Sequence, residues 1–307
     1  MKKINIAIIG LGQIGYSYDR DVNSKRTHFS QINNHKDLKL IAVCDNDIKK
    51  LNQFKKDNSK ILAYNNYISM IKNNSIDLLV LAIPSSSQKK IIDYSLSKNI
   101  KYFIVEKPFL KNNDEVKEII KRVSKIDGKI YVNYPRTWDN FFLSNFKRTI
   151  SNEILYVNSF ISGNFKENSC HLIDLIFQAF YKSNDYPKFS TNHSNNNNVS
   201  IKFKNKKHVF DINLTHINGQ INLFEIQIFF SSHILVLEFG GATVYKISSY
   251  KDKFYKNYNG MKHKKLNFYF DHQKGLKSLY SNIVKKFGKI ENWEEKLLSS
   301  YDVHNLL

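Results

Sequence analysis

The apolar run Ile4–Ile9 leads directly into Gly10-Leu11-Gly12-Gln13-Ile14-Gly15, and this strand-plus-glycine pattern narrows the fold more than any other stretch of the chain. Glycines spaced in this way permit a tight turn and let backbone N–H groups approach a pyrophosphate at the start of a helix. By itself the motif is also compatible with a plain turn. The succession is stronger: a second apolar run, Leu40–Val43, is followed by Asp45, whose carboxylate can accept hydrogen bonds from adenosine ribose hydroxyls and repel a 2′-phosphate. The expectation is a dinucleotide site for NAD rather than NADP. Asp45 lies farther beyond the turn than the usual ~20 residues. Tyr16–Arg26 is polar where a helix should pack, so an inserted loop and then a short helix around His28–Asn34 are expected.

Leu78–Ile83 and Tyr102–Val105 are again continuous apolar runs, as parallel strands covered on both faces require. Helix-like spacings lie between the runs, and the last, Val116, Ile119, Ile120 and Val123, follows the helix start Asn112-Asn113-Asp114. This order predicts an α/β Rossmann domain with a doubly wound parallel sheet over residues 1–125. After Gly128 the pattern changes to period-two alternation: Val199, Ile201, Phe203; Phe210, Ile212, Leu214; Phe224, Ile226, Ile228; Leu235, Leu237, Phe239. Residues 126–307 are therefore expected to form an α+β domain with a mostly antiparallel open sheet. A helix over Leu172–Phe180 precedes these strands, and a stripe of Leu276, Tyr280, Ile283, Val284 and Phe287 forms another behind them. Asn192–Asn198 reads as a loop. Phe229 and Val236 fall on the opposite alternation phase and suggest an associating face, hence a homodimer or homotetramer.

A chain of 307 residues, 42% of them apolar, suits two globular domains. Its net charge of +20 raises nucleic acid as a partner, but the 47 basic residues include only Arg20, Arg26, Arg122, Arg136 and Arg148 as arginines, and the lysines are scattered. That is a solvated basic surface rather than a phosphate-binding patch. Met1-Lys2-Lys3 before Ile4–Ile9 resembles a signal peptide, yet Gln13 interrupts the apolar stretch and no small-residue cleavage site follows. No run approaches the ~18 apolar residues of a membrane span. Cys44 and Cys170 make no disulfide framework or metal spacing. A soluble cytoplasmic protein with no nucleic-acid, membrane or metal partner is expected.

Two further constellations carry chemistry. Val105-Glu106-Lys107-Pro108 closes the fourth apolar run, so Glu106 and Lys107 should face opposite sides, and Pro108 restricts Lys107 to extended geometry. A lysine at the carboxyl end of a parallel strand sits where open α/β sheets bind ligands; a surface lysine is the alternative. In Glu167-Asn168-Ser169-Cys170-His171-Leu172-Ile173-Asp174, helical spacing puts Glu167, His171 and Asp174 on one face. Such a His could orient a substrate hydroxyl and relay its proton. A cap by Asn168 or Ser169 and a core histidine are the alternatives.

The glycine turn, Asp45, Leu78–Pro84, Glu106-Lys107-Pro108, Asn133-Tyr134-Pro135-Arg136 and His171-Leu172-Ile173-Asp174, in this order, resemble the glucose–fructose oxidoreductase, inositol dehydrogenase and MocA (Gfo/Idh/MocA) family over nearly the whole chain. The resemblance implies hydride transfer between NAD(P) and a hydroxyl or keto carbon of a sugar, cyclitol or nucleotide sugar. Lys107 would transfer the proton with His171 as its partner and Glu167 beside it. Gly10, Gly12, Gln13, Ile14, Gly15, Asp45, Ile83, Pro84, Gln88 and Glu106 would form the cofactor site. Asn133, Arg136 and Asn168 would join Lys107 and His171 at the substrate. Gln88 stands where many members carry His, and Glu167 where many carry Asp. A redox-neutral epimerase or lyase using NAD, and a non-catalytic ligand-sensing regulator, are the rival readings.

Overall fold

The computed structural model describes residues 3–20, 22, 24–150, 153–182, 185–195, 197–219, 222–254, 257–289 and 293–306. They form two compact units: residues 1–138 with 272–301, and residues 139–271 with 302–307. This division differs from the expected 1–125 and 126–307, because a further strand joins the first sheet and a C-terminal helix returns to it.

The first unit is built from β1 (Ile4–Ile9), α1 (His28–Asn33), β2 (Leu38–Cys44), α2 (Ile48–Asp57), β3 (Leu62–Tyr64), α3 (Tyr67–Asn73), β4 (Leu78–Leu81), α4 (Ser85–Leu96), β5 (Tyr102–Val105), α5 (Asn113–Ser124), β6 (Lys129–Val132) and α6 (Pro135–Trp138). Its six strands run in the order β3-β2-β1-β4-β5-β6, all parallel. That is the doubly wound Rossmann arrangement, whose strand order reverses at β1/β4 and opens a crevice at the carboxyl edge. The strands are apolar throughout because both faces are covered, and β4 and β5 are buried at every residue. In α5, Asn112 caps the first turn by accepting from Glu115 N at 3.0 Å, and Val116, Ile119, Ile120 and Val123 form the buried stripe.

Two features of this unit differ from the sequence reading. β6 was not expected; it opens on charged Lys129, which leaves only Ile130, Tyr131 and Val132 as an apolar run. The stripe Leu276, Tyr280 and Ile283 belongs to α9 (His272–Lys286; α7 and α8 are given below) and lies in this unit's core, with Ile6, Ile8, Val43 and Trp138. α9 approaches α6 so closely that a Cβ on Gly275 would collide with the Pro135 carbonyl.

The second unit contains α7 (Asn140–Thr149), β7 (Ile154–Ile161), α8 (Phe165–Phe180), β8 (Lys188–Ser194), β9 (Asn198–Lys204), β10 (Val209–His216), β11 (Phe224–Phe230), β12 (His233–Glu238), β13 (Thr243–Lys251) and β14 (Asn259–Lys265). Its eight strands run β14-β13-β12-β11-β7-β10-β9-β8. β10 and β7 pair in parallel and the other neighbours are antiparallel. Alternation sends Val157, Ile212, Ile226, Ile228 and Leu237 inward, all fully buried. The asparagine tract, expected as a loop, lies in part on strands: Asn192 belongs to β8 and Asn198 opens β9, and Asn195 N donates to the Asn198 carbonyl at 2.8 Å between them. Among the described residues no helix is long and apolar enough to cross a membrane.

Candidate functional site

At the carboxyl edge of the first sheet, Gly10 takes φ 99°, a conformation only glycine adopts freely, and a Cβ there would collide with the Ala82 carbonyl. A Cβ on Gly12 would meet no protein atom within 4 Å. The space it leaves belongs to a pocket of about 640 Å³ walled by Gly10, Gly12, Asp45, Lys50, Ile83, Pro84 and Lys90, among others.

Asp45 is 7% exposed and does two jobs. Its Oδ2 accepts from Leu11 N in the glycine turn at 2.7 Å, and its Oδ1 accepts from Asp47 N at 2.8 Å. Asp47 in turn caps α2 by accepting from Lys49 N. The carboxylate therefore ties the turn after β1 to the turn after β2, at the wall of the pocket. A turn whose Gly10 and Gly12 leave the pocket wall without side chains, and an acid at the second strand end, fit a dinucleotide.

Ile83 and Pro84 also wall the pocket. Gln13 is exposed in the turn, with its Oε1 accepting from Tyr18 Oη at 3.1 Å. Ile14 is half-buried and Gly15 buried. Gln88, expected among the cofactor contacts, is turned into the protein instead. It is fully buried, donates from Nε2 to the Glu106 carbonyl at 2.7 Å and accepts at Oε1 from Leu110 N at 2.9 Å. One amide thus clamps both ends of the segment that carries Lys107.

β5 ends at Val105, and the Lys107–Pro108 peptide that follows is cis. Lys107 is half-buried. Glu106 Oε1 accepts from Asn133 Nδ2 at 2.7 Å and from His28 Nε2 at 3.0 Å. On its other side, His28 Nδ1 meets Tyr280 Oη at 2.8 Å. Burial alone would push the Glu106 carboxyl up, but the His28 hydrogen bond and charge, the Asn133 amide and the Lys107 charge hold it below the ordinary carboxylate value. Arg136 is 9% exposed on α6. His272, the first residue of α9, is pushed down to about 4 chiefly by burial; Glu106 opposes this, and Arg136, Arg26 and His28 add to it.

The remaining expected residues lie on α8 in the second unit. The helix cap is Asn164, whose side chain accepts from Glu167 N at 3.1 Å, so neither Asn168 nor Ser169 is the cap. Glu167 is exposed and His171 half-buried. Asn168 Nδ2 donates to the Ser162 carbonyl at 2.8 Å, tying the helix to the end of β7. Cys170 is buried, as is Cys44, and neither forms a disulfide. Burial raises the Cys44 thiol to about 12, which keeps it protonated and unreactive. Among the described residues no group of three or more His, Cys, Asp or Glu is arranged to hold a metal ion.

His28, Tyr280 and His272 were missed by sequence reasoning. His28 follows a polar insertion that hides it from the glycine fingerprint, and Tyr280 reads as one more member of an apolar stripe.

Residues 4–134 match the model of an oxidoreductase family with an NAD-binding Rossmann fold, Gfo/Idh/MocA. The match covers the stretch that builds the parallel sheet of the first unit. No curated protein matches this chain in sequence. Among solved structures it is similar to a 3-ketoreductase from Actinomadura kijaniata in complex with TDP-benzene and NADP, with a TM-score of 0.72, 11% identity and coverage of 98% of this chain and 96% of that one. A myo-inositol 2-dehydrogenase from Lactobacillus plantarum gives a TM-score of 0.66 at 16% identity, over 98% and 95% of the two chains. An Agrobacterium radiobacter oxidoreductase in complex with NAD+, L-tartaric acid and magnesium gives 0.67 at 13%, over 99% and 94%. At these identities the likeness is one of fold. Residues 4–134 thus match the NAD-binding Rossmann fold of an oxidoreductase family in sequence.

Proposed function

We propose that the protein transfers a hydride between NAD and a hydroxyl or keto carbon of a sugar or nucleotide sugar. The observation that carries the reading is Lys107 at the carboxyl end of β5, held in place at the same sheet edge as the glycine turn and its pocket. When bound, the nicotinamide would supply or accept the hydride. Gly10 and Gly12 keep the backbone N–H groups accessible to the pyrophosphate, and Asp45 meets the ribose hydroxyls. Lys107 gives its proton to the carbonyl oxygen in reduction or takes it from the hydroxyl in oxidation. His171, with Glu167 beside it on α8, orients the reacting hydroxyl; Asn133, Arg136 and Asn168 complete the substrate contacts.

Cofactor choice has a second reading with its own observation. Lys50 and Lys90 also wall the pocket and are suited to a 2′-phosphate. Asp45 at the strand end favours NAD, because the phosphate would bring two anions together. An anionic or nucleotide-linked sugar is placed slightly ahead of a neutral one, since a chain of net charge +20 attracts anions at long range.

A homodimer or homotetramer in a reducing compartment belongs to the same proposal. On the outward phase of the second sheet, Tyr156 and Phe229 stack at 5.0 Å, and Gln227 pairs with Val236 and Phe229 with Ile234. A second copy of this chain would cover that face. The deciding experiment is turnover of NAD and NADP, followed at 340 nm, against inositol, free hexoses, hexuronates and nucleotide sugars. NAD-linked turnover of a hexose derivative supports the proposal. Tight NAD binding without turnover of any of them would turn it toward a ligand sensor.

A further inference from the structure

The hydrogen-bonded chain Tyr280–His28–Glu106–Asn133 lies wholly within the first unit and off the wall of the dinucleotide pocket. An ionised carboxylate only accepts, so His28 Nε2 carries the proton shared with Glu106. Burial, reinforced by the Glu106 charge, holds the Tyr280 hydroxyl protonated, 2.8 Å from His28 Nδ1. The ring plane of His28 is thus held from both sides. His28 and Tyr280 are 0% and 1% exposed. Burying an imidazole, a phenol and a carboxylate where apolar side chains would pack is costly unless each is paired.

The surroundings hold the chain in place. Thr27 caps α1 immediately before His28, and Asp19 in the inserted loop accepts from both Thr27 N and Thr27 Oγ1 at 2.7 Å. Gly275 lets α9 bring Tyr280 in. Gln88 fixes the Glu106 carbonyl. The charged and titratable groups acting here are Lys107 on the Glu106 segment, His272 from α9, Arg136 from α6 and Arg26 from the inserted loop.

We propose that His28 and Tyr280 are positioning residues, which hold the Glu106 carboxylate in one orientation beside Lys107 so that the lysine amine meets substrate next to a fixed counter-charge. The proposal rests on Lys107 as the proton carrier. It assigns the short helix after the insertion to the reaction rather than to packing alone.

The test needs no substrate. In NAD-saturated protein, Lys107 is labelled with trinitrobenzenesulfonate and followed by peptide mass spectrometry, with exposed Lys262 as internal standard. His28→Ala should raise the Lys107 labelling rate at least about threefold, because the amine loses its fixed anion. His28→Gln, whose amide can still donate to Glu106, should stay within about twofold of the parent. Tyr280→Phe, which removes one hydroxyl and keeps the ring, should fall between them and stands in if His28→Ala does not fold. Carboxyl 13C NMR should show Glu106 binding its proton at least about tenfold more tightly in His28→Ala than in the parent. Unchanged Lys107 labelling in both His28→Ala and Tyr280→Phe would overturn the proposal, as would His28→Gln behaving like His28→Ala. Failure of the lysine reading appears elsewhere, as undiminished turnover in Lys107→Ala.

Discussion

Lys107 and Asp45 show how much one residue can do on a shared scaffold. If Lys107 carries the proton, Lys107→Ala should lose on the order of 10²–10⁴ in turnover with NAD affinity nearly intact; rates and calorimetry on one preparation check both. Loss of NAD binding would make the lysine structural. Asp45 is expected to favour NAD, yet it also accepts the Leu11 and Asp47 N–H groups. Asp45→Asn removes the charge and keeps an acceptor, so it should narrow the NAD-to-NADP affinity gap by about tenfold or more. Equal affinities in the parent protein would count against the NAD assignment.

At the scale of elements, the informative pieces are the inserted loop, α9 and α8. Burial would raise the Asp19 carboxyl, but the Arg26 backbone N–H and the hydroxyl and backbone donors around it lower it to about 2. A depressed carboxyl stabilises the fold above its unfolded value near 4, and that contribution is lost as pH falls toward 2. Asp19→Asn should therefore destabilise the protein by about 1–2 kcal/mol at pH 7 and by much less at pH 2, as read by denaturant melts. His272 gives a second window. Its folded value of about 4 lies below the unfolded 6.5, so its contribution is present above pH 6.5 and lost as pH falls toward 4, at up to ~1.4 kcal/mol per pH unit. His272→Gln should flatten that slope, and an unchanged slope would remove His272 as its source. On α8, His171→Asn should lower turnover while NAD binding is preserved, as calorimetry would show. Full turnover in that variant would return His171 to the core-histidine reading.

For the whole molecule, charge and association are the measurable properties. The net charge of +20 extends its influence over ~8 Å at physiological salt. The second-order rate constant for an anionic sugar should therefore fall as ionic strength rises. A salt-independent rate with a neutral sugar, and no turnover of nucleotide sugars, would overturn the anionic preference. Sedimentation should show a dimer or tetramer that Phe229→Lys weakens, and a monomer at micromolar concentration would end the homo-oligomer proposal.

The Rossmann unit was legible in the chain because its strands are buried on both faces and therefore unbroken in hydrophobicity, as Leu78–Leu81 and Tyr102–Val105 show. Alternation revealed β9 to β12 for the same local reason, one face in and one out. The glycine turn, Asp45 and Lys107 were readable because their chemistry is tied to short spacings. β6 was not, because it opens on charged Lys129 and holds only three apolar residues, nor were β13 and β14, where buried positions give way to exposed ones along the hairpin. The return of α9 to the first unit could not be read either, since an apolar stripe specifies that a face is buried and not against what. The partners of Glu106 were equally hidden: His28 lies 78 residues before it, and Tyr280 lies 252 residues after His28. Spacing along a chain carries information only within an element. The hydrogen bonds that join α1, the end of β5 and α9 follow from how those elements pack, and the tertiary structure alone decided them.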